Sequence, residues 1–158
     1  MPETRRYAAV IGPGRCPDET GRLCREVGRG LAEAGFTLVT GGMGGAMEAA
    51  SQGAREAGGM VIGVLPGTDR ADANGFSDVT VVTGVGHARN LAVVASADVV
   101  VAIGGEWGTL SEIGLAGVLG RPVVVLAGWR LEHESRMPSG IRYAKDPEEA
   151  VALAASLA

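Results

Sequence analysis

With 158 residues and a mass of 16.0 kDa, the chain is long enough for one hydrophobic core and too short for two ordinary domains. Its formal net charge is -4 and it has no basic run or aromatic platform, which argues against nucleic acid as a partner and favours a small molecule. Hydrophobic residues make up 46% but aromatic residues only 4%, and 26 glycines are present, so we expect a core of small aliphatic side chains between tight turns.

Apolar runs rich in β-branched residues alternate with helical patterns along the whole chain. The predicted strands cover residues 7–11, 36–40, 60–65, 79–82, 98–103 and 122–126. The predicted helices cover residues 18–34, 45–57, 87–95, 108–119 and 147–157. The strand runs are continuous rather than alternating, which is typical of strands covered on both faces. The alternation predicts one α/β domain over residues 1–158, with a parallel sheet between helix layers and right-handed crossovers.

Glycine-rich turns follow three of the predicted strands: "GPGRC" (12–16), "GGMGG" (41–45) and "GGEWG" (104–108). The second and third turns each lead into a helix N-terminus, where free N–H groups and the helix dipole favour anions. The first turn, with Gly12 and Gly14, lacks the third glycine of a dinucleotide fingerprint, and no acidic residue ends the second strand. Any one turn is as well explained by a tight strand-to-helix connection, but three at one sheet edge favour a nucleotide phosphate.

The candidate chemical groups lie beside these turns. Thr109 and Glu112 have the T-x-x-E spacing of a capping box, so Glu112 is interpreted either as a helix cap or as a catalytic carboxylate. Arg89, in "GHARN", is either half of a surface ion pair or a clamp on phosphate or ribose. His87 is more typical of a solvated helix start than of an acid or base.

Several classes of chemistry are disfavoured. Lys145 is the only lysine and lies in the polar tail, which fits neither a Walker-type phosphate loop nor a pyridoxal-phosphate enzyme. Cys16 and Cys24 have no paired Cys or His at ligand spacing, so neither a metal site nor a disulfide framework is expected. We predict no cofactor. The longest apolar run is interrupted by Asp98 and no signal-peptide core follows Met1, so we expect a cytoplasmic protein without a membrane partner.

Two irregular segments are placed to affect a ligand. Residues 66–77 leave the third strand at the predicted ligand edge, where they could cover a ligand. Residues 127–140 follow the sixth strand and are interpreted as a lid, an oligomer contact or plain surface.

The segments "TGGMGGAMEAASQGAREAGGMVIGVLPG", "GHARN" and "GGEWGTLSEI", in this order and spacing, resemble the Lonely Guy family, formerly described as lysine decarboxylase-like. The resemblance is greatest to its short bacterial branch, which is also similar to the molybdenum cofactor carrier protein. It implies a Rossmann-like, doubly wound parallel sheet of six to seven strands, and a homodimer or higher homo-oligomer. It also implies hydrolysis of the N-glycosidic bond of cytokinin riboside 5'-monophosphates to free base and ribose 5-phosphate.

The resemblance assigns roles to individual residues. The catalytic pair falls on Arg89 and Glu112. The phosphate-binding residues fall on Gly105, Gly108 and Thr109, and the nucleotide contacts fall on Gly41, Gly42, Gly44 and Gly45. Breaking the glycosidic bond creates positive charge on the ribose, which a carboxylate at Glu112 would stabilise while Arg89 orients the phosphate.

Three departures from the family pattern surround the predicted anion site. Gly104 replaces a proline, Glu106 replaces a glycine and Asn90 replaces a lysine. A carboxylate beside a phosphate costs on the order of 1 kcal/mol at surface-like dielectric. The sequence therefore leaves open a nucleoside monophosphate phosphoribohydrolase, a non-catalytic carrier or sensor of a nucleotide or a pterin phosphate such as molybdenum cofactor, and a structural oligomer with vestigial turns.

Overall fold

In a computed structural model, which describes residues 4–134 and 138–158, seven strands form one parallel sheet. The strands are β1 (Arg6–Ile11), β2 (Phe36–Thr40), β3 (Val61–Leu65), β4 (Val79–Val82), β5 (Val99–Ile103), β6 (Val123–Leu126) and β7 (Ile141–Ala144). The helices are α1 (Asp18–Glu33), α2 (Ala46–Glu56), α3 (Arg89–Ala95), α4 (Trp107–Val118) and α5 (Pro147–Leu157). The spatial order of the strands is β4-β3-β2-β1-β5-β6-β7, which confirms the predicted Rossmann-like α/β fold.

The core lies on both faces of the sheet. Every residue of β2, β5 and β6 is buried, as the uninterrupted apolar runs predict. One apolar cluster packs α1, α2 and α5 against the sheet, and the other packs α3 and α4 against the opposite face. The two helix layers therefore fix where each strand-to-helix turn leaves the sheet.

Glycine allows α1 and α2 to pack backbone to backbone. A Cβ on Gly28 would lie 2.0 Å from the carbonyl oxygen of Ala50, and a Cβ on Gly53 would lie 1.9 Å from that of Arg25. Since both contacts are with backbone, no side-chain movement would relieve them. These two glycines therefore fix the position of α2 and of the turn that precedes it.

The strand order reverses between β1 and β5, which are neighbours at the centre of the sheet. The chain leaves β1 toward the layer of α1 and leaves β5 toward the layer of α4. The two connections separate at the carboxyl ends of the strands and open a crevice, the usual ligand position in open α/β sheets.

The structure differs from the sequence predictions at a few element ends. The strand β7 (Ile141–Ala144) was not among the six predicted runs, although a sheet of up to seven strands was expected. The helix predicted for residues 87–95 is a short 3₁₀ turn, Gly86–Ala88, followed by α3. Within residues 4–134 and 138–158, no helix has the length and apolar character needed to cross a bilayer.

Candidate functional site

A cavity of about 160 Å³ lies in the crevice at the centre of the sheet. Five parts of the chain line it: the end of β1 with its turn, the residue after β2, the start of α2, the start of α3 with the 3₁₀ turn before it, and the turn before α4 with that helix's first turns. The predicted site residues that line it are Gly12, Gly14, Gly41, Arg89, Glu106, Gly108, Thr109 and Glu112. The parallel topology thus brings together groups that are up to 100 residues apart in sequence, from Gly12 to Glu112.

Arg89, the first residue of α3, extends its guanidinium under the turn that follows β2. A Cβ on Gly41 would lie 2.6 Å from Nη1 of Arg89, so the glycine leaves the space that the guanidinium uses. Nη1 donates to Oδ1 of Asn90 at 2.5 Å, and Nη2 contacts the sulfur atoms of Met43 and Met47 at 3.9 and 4.0 Å. The Nε atom is buried and has no hydrogen-bond partner among the residues that the structure describes.

The start of α4 differs from the predicted capping box. The helix begins at Trp107 with Glu106 as its N-cap residue, and no side chain caps it. Thr109 is therefore the third residue of the helix rather than its cap, and the T-x-x-E spacing does not form a capping box. Its Oγ1 is buried and lacks a hydrogen-bond partner within residues 4–134 and 138–158. Thr109 lines the cavity, so this unpaired hydroxyl belongs to a residue of the cavity wall.

Glu112 follows one turn later on α4 and is only 6% exposed. Burial raises the pKa of its carboxyl to about 7, and the positive charge of Arg89 opposes that rise. Burial likewise lowers the pKa of the Arg89 guanidinium, against the opposite effect of Glu112. In the described part of the chain, neither Arg89 nor Glu112 takes part in an ion pair within 4.0 Å. Arg89 and Glu112 thus line the same cavity without forming a direct ion pair across it.

Glu106, at the position where the Lonely Guy pattern has a glycine, is exposed and lines the cavity. Its side chain makes no capping hydrogen bond to α4. Asn90, at the position where the Lonely Guy pattern has a lysine, accepts a hydrogen bond from the guanidinium of Arg89. One departure therefore adds a carboxylate at the cavity, and the other positions the arginine rather than adding a second cation.

Four predicted glycines lie outside the cavity lining: Gly42, Gly44, Gly45 and Gly105. The 41–45 turn is packed against other parts of the backbone. Gly45 has a φ of 62°, and a Cβ there would lie 2.4 Å from the carbonyl oxygen of Pro13. The same carbonyl accepts the first N–H of α2, from Ala46, at 3.0 Å. One backbone N–H at the N-terminus of α2 is therefore already bonded to the turn after β1.

The 66–77 segment crosses the 41–45 turn rather than the cavity. The backbone N–H of Asn74 donates to the carbonyl of Gly42, and its side-chain amide donates to that of Met43, both at 2.8 Å. His87 lines the cavity from the 3₁₀ turn before α3. His87 thus lines the candidate site, whereas the 66–77 segment is hydrogen-bonded to the 41–45 turn beside it.

A second hollow, of about 400 Å³, was not predicted from the sequence. It is lined by Gly105, Ala127, Gly128, Trp129 and Arg130. The indole N–H of Trp129 donates to the carbonyl of Glu106 at 3.2 Å, so this hollow shares the 104–108 turn with the first cavity. The sequence signal for this hollow was Trp129 and Arg130, shortly after the end of a strand. They lie in the 127–140 segment, which is interpreted from the sequence as a lid, an oligomer contact or plain surface. Residues 135–137 of that segment lie outside the described residues.

Comparisons with known proteins agree with this architecture over nearly the whole chain. A model of the SLOG cluster4 family matches residues 5–151. An uncharacterized protein of Archaeoglobus fulgidus is 41% identical over 142 residues, which cover 90% of this chain and 89% of that protein.

Two solved structures have a similar fold and related sequences. The molybdenum cofactor binding protein of the phototrophic bacterium Rippkaea orientalis has a TM-score of 0.89 and 36% identity, with 96% of each chain covered. The molybdenum cofactor carrier protein of Chlamydomonas reinhardtii has a TM-score of 0.87 and 34% identity, over 97% of this chain and 98% of that one. The resemblance to carrier proteins thus extends over the full length of the sheet and both helix layers.

Proposed function

This chain belongs to the SLOG cluster4 family, and from that premise we propose that it binds a phosphorylated pterin of the molybdenum-cofactor type and carries it without changing it chemically. One observation carries the proposal: the buried Nε of Arg89 and the buried Oγ1 of Thr109, neither with a partner among the described residues, belong to residues that line one cavity. Leaving two buried polar atoms unsatisfied is costly, and an anionic group between them would satisfy both. The similarity to a cofactor binding protein and a cofactor carrier protein supports this choice of ligand.

The size of the cavity indicates which part of the ligand it would hold. Pockets that enclose a whole small ligand commonly measure about 300–1,000 Å³. At about 160 Å³, this cavity suits a phosphate group rather than a complete pterin or nucleotide. The phosphate would accept from Arg89, from the Thr109 hydroxyl and from the free N–H groups of the first turn of α4. The remainder of the ligand would then extend outward along the 104–108 turn.

Glu112 opposes an anion less at neutral pH than a carboxyl with an ordinary pKa would. With a pKa of about 7, its carboxyl is protonated in about half of the molecules at pH 7. A protonated carboxyl donates a hydrogen bond and adds no negative charge, so it can face a phosphate oxygen. Binding of an anion beside it would raise its pKa further and would be accompanied by proton uptake.

The test measures binding of neopterin monophosphate, a pterin that carries a phosphate, by isothermal titration calorimetry. We expect Arg89→Ala to weaken binding roughly thirtyfold, which corresponds to about 2 kcal/mol for a lost charge-assisted hydrogen bond. Arg22→Ala is the matched control, because Arg22 pairs with Glu19 and Glu26 on the exposed face of α1. Equal affinity of the wild type and Arg89→Ala for the pterin phosphate would overturn the proposal.

Hydrolysis of a nucleoside 5'-monophosphate is the second candidate function. The observation that favours it is the placement of Arg89 and Glu112 on one cavity with a gap between them. In that gap Arg89 would orient the phosphate, and ionised Glu112 would stabilise the positive charge that develops on the ribose. The raised pKa of Glu112 predicts that such activity increases as the pH rises through about 7.

The two candidates are separated by product analysis. The protein is incubated with adenosine monophosphate and with isopentenyl-adenosine monophosphate, and free base is measured by chromatography. Release that is lost in both Glu112→Gln and Arg89→Ala would establish the hydrolase. Binding without release would favour the carrier.

Homodimerisation accompanies either function in our proposal. The outer surface of α3 and α4 carries exposed apolar side chains at Leu91 and Val118. The only charged residues within these helices, Arg89 and Glu112, point into the cavity. An uncharged apolar face of this kind is typical of a subunit contact. Light scattering after gel filtration would detect a dimer in the wild type, and Val118→Glu is expected to shift it toward the monomer.

A further inference from the structure

We propose that Trp129, supported by Trp107, forms a stacking subsite for the planar fused ring of the ligand whose phosphate occupies the Arg89 cavity. The inference rests on the proposed function, since it assigns the other end of the same ligand. The subsite is the hollow of about 400 Å³ beside the 104–108 turn. It is separate from the cavity of about 160 Å³ lined by Arg89, which we call the phosphate cavity.

The two cavities are separated by a single stretch of backbone. Glu106 lines the phosphate cavity, and its neighbour Gly105 lines the hollow. Consecutive Cα atoms are about 3.8 Å apart, so the two cavities border the same short turn. The phosphate cavity is too small for a fused ring, whereas the hollow is large enough for one.

The position of Trp129 is fixed by contacts on several sides. Its indole N–H donates to the carbonyl of Glu106 at 3.2 Å. A Cβ on Gly105 would lie 2.9 Å from the indole nitrogen, so the glycine allows the ring to lie directly against the turn. Trp107 packs against it with ring centroids 5.5 Å apart and an angle of 41° between the planes. The indole is therefore held in place before a ligand arrives, which lowers the entropic cost of binding.

The backbone before Trp129 is also constrained. Ala127 has a φ of 51°, a conformation that side-chain-bearing residues rarely adopt. A Cβ on Gly128 would meet the carbonyl oxygen of Gly104 at 2.3 Å, so the chain after β6 lies directly on the turn after β5. Strained backbone of this kind is concentrated at functional sites. Here its effect is to bring Trp129 onto the 104–108 turn.

The chemistry of the hollow matches an electron-deficient or polar heterocycle. Trp129 offers an aromatic face, and Arg130 adds a positive charge next to it. The guanidinium of Arg130 lies 4.8 Å from the ring centre of Tyr143, whose hydroxyl accepts from the N–H of Leu131 at 2.9 Å. Ring carbonyl and nitrogen acceptors of a pterin or purine would face this cation, while the ring stacks on the indole.

Trp107 is the exposed partner of the pair. Its side chain is 78% exposed although it is one of only two tryptophans in the chain. It lies at the first position of α4, next to the residues that line the phosphate cavity. We therefore expect Trp107 to extend the stacking surface, with a smaller effect than Trp129.

The test compares three ligands that share a phosphate but differ in whether they carry a fused ring, and in which one. Neopterin monophosphate and adenosine monophosphate carry a fused ring, and ribose 5-phosphate does not. Affinities are measured by titration calorimetry for the wild type, Trp129→Leu, Trp129→Phe and Trp107→Leu. We expect Trp129→Leu to weaken the fused-ring ligand about tenfold, as loss of one stacked base does. Trp129→Phe keeps an aromatic face without the N–H, so we expect it to retain most of the affinity. The stronger of the two fused-ring ligands identifies the ring as pterin or purine.

Ribose 5-phosphate separates stacking from a structural effect. Its affinity should be the same in all four proteins, because it contacts only the phosphate cavity. Equal losses for ribose 5-phosphate and the fused-ring ligands in Trp129→Leu would show that the residue only supports the turn, and the subsite would be rejected. Unchanged affinity for every ligand in both leucine variants would also reject it, while the phosphate site would stand. If the wild type binds none of the three phosphates, the proposed function fails and the subsite fails with it.

Discussion

The 41–45 turn and the 104–108 turn carry similar glycine patterns at the same edge of the sheet, but their environments differ. In the first turn, Gly45 is pressed against the carbonyl of Pro13, and the N–H of Ala46 is bonded to that same carbonyl. In the second, Gly108 has nothing within 4 Å of where a Cβ would be. The Thr109 hydroxyl beside it is also free of protein partners within the described ranges. The helix end of the first turn is thus packed against the turn after β1, whereas the helix end of the second turn has no such protein contact at Gly108.

The difference shows what a glycine-rich turn indicates on its own. Glycine permits close approach to the backbone, but the approaching group is either a ligand or another part of the chain. Only the tertiary contacts distinguish the two. In this protein the first two turns pack against each other, so we propose the anion site at the turn after β5.

The comparison predicts opposite effects of alanine at the two turns, and this is the largest change we expect. Gly45→Ala forces a side chain into a φ of 62° and against the backbone of Pro13. It should lower the free energy of unfolding by about 3 kcal/mol. Gly108→Ala, the matched control within a helix, should change it by less than about 1 kcal/mol and in the stabilising direction. Urea denaturation measures both. A larger loss in Gly108→Ala than in Gly45→Ala would reverse our assignment of the two turns.

Glu112→Gln tests the electrostatics of the open turn. In the unfolded chain the carboxyl ionises near its ordinary pKa of about 4.5, while in the folded protein it stays protonated up to about 7. The unfolded state therefore binds fewer protons between these pH values, so Glu112 lowers the stability of the wild type as the pH rises from 4.5 to 7. The glutamine variant lacks this loss. We expect it to be more stable than the wild type by up to about 3 kcal/mol at pH 8 and nearly equal at pH 4.5.

The difference between the two proteins isolates Glu112 from other groups that titrate. Arg89 faces it from α3, and His87 and Glu106 line the same cavity, but all three are present in both proteins. Thermal melts at several pH values provide the measurement. A stability difference that does not vary with pH would show that Glu112 is ionised in the folded protein throughout this range.

The smallest effect is expected at Glu106, where the Lonely Guy pattern has a glycine. Glu106→Gly and Glu106→Gln both remove a carboxylate from the cavity, and no capping hydrogen bond is lost with it. We expect each to increase the affinity for a phosphate monoester by roughly tenfold, or about 1.4 kcal/mol. Glutamine controls for the shape of the side chain. Wild-type affinity in both variants would mean that the carboxylate points to solvent and does not oppose the ligand.

Most of the fold could be predicted because its signals are local. Continuous β-branched runs such as Val99–Ile103 identify buried strands, and glycines after the helices mark their ends. The topology of a parallel sheet then places Arg89 and Glu112 at one edge without further information. The short strand Ile141–Ala144 was not identified, because its four residues include an arginine and a tyrosine and only two strongly apolar positions.

The site was less predictable, because its details depend on contacts between distant segments. The predicted capping box was wrong, because α4 begins two residues before Thr109. The T-x-x-E spacing does not show where the helix begins. Gly105, to which the resemblance gives a phosphate contact, also lies against Trp129, 24 residues later in the chain. Sequence spacing gives no indication of such a contact.

The two hydrogen bonds from Asn74 to the 41–45 turn have a consequence for the kinetics of ligand exchange. They fasten the 66–77 segment beside the cavity, so the path to Arg89 does not depend on opening that segment. Under the proposed function, we therefore expect a ligand to associate without opening of the 66–77 segment, with a residence time set by the strength of its own contacts. Such a site suits a protein that must release its ligand to a recipient as readily as it collects it.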